Sequence, residues 1–221
     1  MFIKDNISVI TSKVQYSNVI NTTLSFSLWG KHQTVFDCCL DTGCSTSLIS
    51  ANHVNFGMSL KDAQFKLFIQ KEVGLGTGCG VEGRNVDKSA IASIVGRINN
   101  IKKYCIDNNL TDKETERLIY KNCRKDEYDI ISRSLYVRYA LPIKDVAVGA
   151  VNTKSFDIGV SFNTPDTVNL IGMSTIQNLY METFSAYGNF YTLLTIPEKK
   201  HIDKVIDLGR QLRKKPTTVP Y

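Results

Sequence analysis

The chain has 221 residues, 43% of them hydrophobic and 22% charged. That ordinary globular balance excludes a disordered chain and a fibrous repeat, and suits one domain with an insertion or with a small companion. The formal charge of +6 is too modest to mark a nucleic-acid binder by itself. No apolar run approaches the ~18 residues that would span a bilayer. The first six residues also lack the basic start and apolar core of a secretory signal. A soluble, cytoplasmic chain with no membrane partner is expected.

Residues 17–40 are β-rich. Alternation over 23–28, a turn containing Gly30, and an apolar run over 34–40 predict a hairpin. A short helix or turn is expected over 47–54 and a strand over 65–70, ahead of a glycine cluster at 74–83. The period changes at Asp87. Ile91, Ile94, Val95, Ile98, Ile101 and Cys105 recur at helical spacing. Asn108-Asn109 breaks that helix, and Thr111 with Glu114 has the capping-box pattern that opens a second one. The helical block 87–134 is flanked by β-rich sequence on both sides and has the look of an insertion. Its lysines and arginines are interspersed with acids, which describes solvated faces rather than a nucleic-acid reader.

Strand patterning returns over 135–142, 146–151, 156–162 and 168–173. A brief helix capped by Ser174 is expected over 174–179, then strands at 181–184 and 190–194. A basic helix and tail occupy 198–221.

The residues with the clearest chemistry follow the hairpin. An apolar strand delivers Asp41, and Thr42, Gly43 and Cys44 turn the chain at once. Glycine allows a tight turn and a close approach, and the threonine hydroxyl can hold the turn by a local hydrogen bond. A carboxylate fixed at a strand end and partly desolvated suits acid–base work. Other chemistry is poorly represented. His32, His53 and His201 lack metal-ligand spacing, and no C-x-x-C pair exists among Cys38, Cys39, Cys44, Cys79, Cys105 and Cys123. Neither a metal nor a cofactor is expected, and the cysteines read as reduced thiols.

In this context the residues around Asp41-Thr42-Gly43 resemble the retropepsin-like aspartic proteases. Apolar positions precede the triplet, small residues follow it, and Leu48-Ile49 comes next. The run Val168-Asn169-Leu170-Ile171-Gly172 is similar to that family's second signature, followed as in the family by a short helix and a terminal strand. The resemblance implies a mainly β, closed-barrel acid-protease fold over 1–197, interrupted by the helical insertion. It implies Asp41 as the catalytic residue, with Thr42, Gly43, Cys44 and Gly172 in support. The family's flexible flap would correspond to Gly76, Thr77 and Gly78.

The family mechanism needs two carboxylates sharing one proton, and this chain has one such triplet, because Asp166-Thr167 continues into Val168. A homodimer with an Asp41/Asp41′ dyad is therefore implied, cleaving peptide or protein substrates. The alternative is a catalytically silent dimer of the same fold that binds peptides or proteins. Cys44, where the family usually has Ala or Ser, is a weak donor to the carboxylate. An activity optimum less acidic than that of a Cys44→Ser variant is expected.

Overall fold

The computed structural model describes residues 6–13, 20–71, 73–75, 88–134, 137–153, 158–163 and 169–214. In chain order the first elements are β1 (Ile7–Lys13), β2 (Ile20–Leu28), β3 (Lys31–Leu40), β4 (Ser47–Ser50), α1 (Leu60–Gln70) and β5 (Val73–Leu75). Then come α2 (Lys88–Asp107), α3 (Asp112–Asn122), α4 (Lys125–Arg133), β6 (Val137–Ala140), β7 (Ile143–Val148), β8 (Val151–Thr153) and β9 (Ile158–Ser161). The last are β10 (Leu170–Ile171), α5 (Met173–Ile176), β11 (Tyr180–Ala186), β12 (Asn189–Thr195) and α6 (Lys199–Lys214). The chain divides into two compact units. The first holds Met1–Ser47, Ile143–Phe156 and Leu170–Tyr221; the second holds Leu48–Pro142 and Asp157–Asn169.

In the first unit, strands run in the order β10-β3-β2-β7-β8, with a separate sheet β1-β12-β11. The β2–β3 hairpin turns on Trp29 and Gly30, both left-handed (φ 48° and 79°). That is the type I′ geometry that matches strand twist. Leu24, Phe26 and Leu28 alternate into the core from β2. On β3 the alternation slips once. Thr22 faces Cys38 and Leu24 faces Val35, so Phe36 and Asp37 together oppose Thr23. Asp37 takes the left-handed conformation (φ 53°) that the extra residue of this bulge demands. Phe36 and Asp37 are both exposed, while Val35, Cys38 and Leu40 stay buried. The bulge thus sets the phase in which β3 reaches Asp41. α6 packs on β11 and β12, where the Arg213 guanidinium bonds Glu182 at 2.7 Å and lies 4.1 Å over the Phe184 ring.

The second unit has the strand order β5-β6-β9-β4 and the helices α1 to α4. Its core is built from Leu67 and Phe68 of α1, Ile91, Val95 and Ile98 of α2, Ile119 of α3 and Ile131 of α4, with Val137, Tyr139 and Val160 from the sheet. The Thr111–Glu114 capping box forms as expected, each side chain taking the other residue's backbone N–H. α2 also covers the end strand of this sheet. The Asn99 side chain accepts from Val73 N (3.1 Å) and donates to Val73 O (2.8 Å), reproducing a strand's paired hydrogen bonds on a helix. Asn99→Leu removes both partners at similar volume and should cost about 2 kcal/mol. Faster hydrogen exchange at the Val73 amide, ahead of global unfolding, is the check.

α2 and α4 are tied by an ion pair between Arg97 and the buried Glu127 (2.5 Å). The Arg97 hydrogen bond, and then the Arg124 backbone N–H, hold the Glu127 carboxyl below its ordinary value. A depressed folded-state value contributes stability above the unfolded value and loses it as pH falls through the folded one. The wild type should therefore lose stability between neutral pH and about pH 3 more steeply than Glu127→Gln, as read by denaturant titrations at each pH.

Several expectations are corrected. The described residues are about 36% strand and 41% helix, so the chain is mixed α/β rather than mainly β, and its sheets do not close into a barrel. The segment 65–70 lies in helix α1, not a strand. Phe65, Leu67 and Ile69 alternate like a strand, but Ala63, Leu67 and Phe68 are the fully buried set, at helical spacing, and the Ser59 side chain caps the helix by accepting from Asp62 N. Residues 47–50 form β4, followed by a single 3-10 turn at Ala51–His53. The block expected to be helical holds three helices rather than two. The glycine cluster beyond Leu75, including Gly76, Thr77, Gly78 and Cys79, lies outside the described residues, as do Asp166, Thr167 and the tail after Lys214.

Candidate active site

β3 ends at Leu40, and Asp41 follows it with its backbone still tied to the sheet: Asp41 N donates to Ile171 O at 3.0 Å. This bond extends the short parallel pairing of β3 with β10, in which Cys39 faces Leu170 and Leu40 faces Ile171. The chain then turns, closed by Cys44 N donating to Asp41 O (3.3 Å). Within the turn the Gly43 N–H donates to Asp41 Oδ1 at 2.8 Å. The carboxylate is therefore aimed by its own turn and stands half-buried, beside exposed Thr42 and Gly43. An added Cβ on Gly43 would meet Asp41 Oδ1 at 3.2 Å.

A second segment supports the turn from below. Met173 N donates to Cys44 O (2.8 Å), and Ser174 N donates to Ser45 O (3.0 Å). The Ser174 hydroxyl accepts from Ser47 N (3.2 Å). Gly172 N donates to the buried Ser47 hydroxyl (3.1 Å), which lies 2.5 Å from the Thr175 hydroxyl. Gly172 sits where the two backbones are closest. A Cβ there would lie 2.5 Å from Thr46 O, 2.6 Å from Thr46 C and 2.7 Å from Cys44 O. All three are backbone atoms that cannot swing aside. Glycine is required here by the close approach rather than by dihedral angle, since its φ is −90°.

Four expected residues, Asp41, Thr42, Gly43 and Gly172, thus meet in one loop system. Cys44 belongs to it with a different partner: its thiol donates to Thr46 O at 3.0 Å and not to the carboxylate. Ser174 does not cap α5; Gly172 occupies that N-cap position, and the Ser174 hydroxyl serves the 44–47 turn. The buried hydroxyl pair Ser47–Thr175 was not singled out from sequence. Its signal was available, as two hydroxyl residues beside the two glycine-bearing signatures, but hydroxyl-rich turns are common and their burial is a tertiary fact.

Electrostatically the site is simple. Among the described residues, the Asp41 carboxylate has one hydrogen-bond partner, the Gly43 N–H, and no second carboxylate joins it. The Cys39 thiol is raised by burial and then by the Asp41 charge, and burial takes Cys38 up to about 12. Both thiols are therefore protonated at neutral pH and are not nucleophiles. Among the described residues no group of three or more His, Cys, Asp and Glu side chains is placed to hold a metal. His53 instead bonds Asn169 (2.6 Å), and His201 lies 3.7 Å from Glu198. Of the glycines expected near the flap, Gly74 lies in β5, paired with Arg138 of β6.

Among the described residues no helix is long and apolar enough to cross a membrane. Comparison with protein-family models, curated sequences and solved structures returned no match.

Proposed function

We propose that the chain is an aspartic endopeptidase of retropepsin type, with a catalytic dyad made by Asp41 of two identical subunits. One observation carries this reading: a half-buried carboxylate at a strand end, aimed by the Gly43 N–H and supported by a second segment packed against its turn through Gly172. A single subunit offers one carboxylate, so a two-fold partner supplies the other.

In the dyad the two carboxyl groups share one proton, because two charges in contact cannot both be held cheaply. The ionised group takes a proton from a water as that water attacks the scissile carbonyl. The protonated group donates to the carbonyl oxygen and, as the tetrahedral intermediate collapses, a proton passes to the leaving amine. No covalent enzyme intermediate and no cofactor enters. Substrates are extended peptides or unfolded protein segments, which present a strand-like backbone. The five described cysteines are free thiols, which supports a reducing, cytoplasmic setting.

The test is digestion of an unbiased peptide mixture across roughly pH 4 to 7.5, read by mass spectrometry at several enzyme concentrations. Cleavage whose rate per chain falls on dilution is the expected result. A confirmed dimer that cleaves nothing would replace this reading with a silent peptide-binding dimer.

A further inference from the structure

β4 ends at Ser50, whose backbone N–H donates to the side-chain oxygen Oδ1 of Asn169 at 3.1 Å. Asn169 is 4% exposed and immediately precedes β10. Its amide nitrogen Nδ2 lies 2.6 Å from Nδ1 of His53, in the single turn that follows β4. A backbone N–H can only donate, so Ser50 fixes which way the amide stands. The oxygen is committed to Ser50, and Nδ2, which also only donates, is left facing the imidazole. Nδ1 must therefore supply a lone pair. It does so in the neutral ring whose hydrogen sits on Nε2.

A proton on Nδ1 sets two donors against each other and leaves a buried amide N–H without an acceptor. The ring itself is exposed, so solvent protons reach it without unfolding. Among the described residues no acid, lysine or arginine pairs with His53, and the Asn169 side chain has only these two partners. The imidazole's own proton thus decides the contact. Its position gives it a consequence. Asn169 leads directly into Leu170, Ile171 and Gly172, and Ile171 O is the acceptor for Asp41 N.

We infer that His53 and Asn169 form a pH-sensitive latch at the entry to β10, closed while the imidazole is neutral and opened by a proton on Nδ1. The latch regulates the support beneath Asp41. Its meaning for catalysis rests on the function proposed above, while the test reads it without any cleavage.

Nitrogen NMR and hydrogen exchange on the full chain test this. At about pH 7.5 the His53 ring should carry its hydrogen on Nε2, with Nδ1 bare. On acidification to about pH 5.5, protection of the Ser50 amide should fall about tenfold, in step with protonation of His53. His53→Asn places an acceptor oxygen near the position of Nδ1 and does not titrate, so protection should stay constant over the same range. Asn169→Asp presents a carboxylate oxygen to the ring, so acid should raise the protection instead. Should the buried aspartate prevent folding, His53→Asn decides. A neutral ring with its hydrogen on Nδ1, wild-type protection unchanged as His53 protonates, or an equal loss in His53→Asn would each overturn the latch.

Discussion

Asp41→Asn is expected to lower peptide cleavage by at least about 10³-fold, through kcat rather than KM, with the fold unchanged. The asparagine is nearly isosteric, and its side-chain oxygen can still accept from Gly43 N–H, the bond that aims the group at 2.8 Å. Half-burial at the end of β3 and the bond from Asp41 N to Ile171 O do not depend on the carboxyl's charge. What disappears is the ability to hold and release a proton. In a dyad both subunits lose it together, so no intact carboxyl remains to act as base. A substitution at an exposed turn would do none of this. Thermal melts within experimental error of the wild type, alongside lost cleavage, separate a chemical role from a structural one. Cleavage retained by the asparagine variant would remove Asp41 from the mechanism.

Gly172→Ala should cost about 3 kcal/mol and take activity with it. The added methyl would arrive 2.5 to 2.7 Å from the backbone of Cys44 and Thr46. Relief demands that one of two backbones move, and both are committed: Met173 N and Ser174 N bond Cys44 O and Ser45 O, while Gly172 N bonds the buried Ser47 hydroxyl. Any displacement passes through three residues to Asp41. Denaturant unfolding gives the stability change directly. Gly43→Ala is the informative contrast, because its methyl meets only the Asp41 side-chain oxygen, at 3.2 Å. It should keep most of the stability and still disturb catalysis. A Gly172→Ala protein as stable as the wild type would mean that the two segments are not packed as described.

Local chemistry made part of this molecule legible in the sequence. The β2–β3 hairpin is announced by alternation and by a glycine in the turn, and α3 by its Thr111–Glu114 box, because each signal acts within a few residues. Asp41 and Gly172 were also legible, each standing at the end of an apolar run. Helix α1 was misread because three of its apolar residues alternate, and the capping signal at Ser59 was passed over. The bulge at Phe36–Asp37 escaped, since a single extra residue leaves no period of its own. Asn99 bonding Val73 and the Ser47–Thr175 pair join residues 26 and 128 positions apart. Such pairings are properties of packing, and no local pattern specifies them. In the proposed dyad the second carboxylate would come from another molecule, which no pattern within one chain can show.

Mixing wild-type and Asp41→Asn subunits in varying ratios, after equilibration of dimers, tests the shared dyad most directly. If both Asp41 side chains are needed in one site, activity follows the square of the wild-type fraction, so a half-and-half mixture retains about a quarter. Activity that falls linearly with the wild-type fraction would mean that each chain carries a complete site, and would contradict the account.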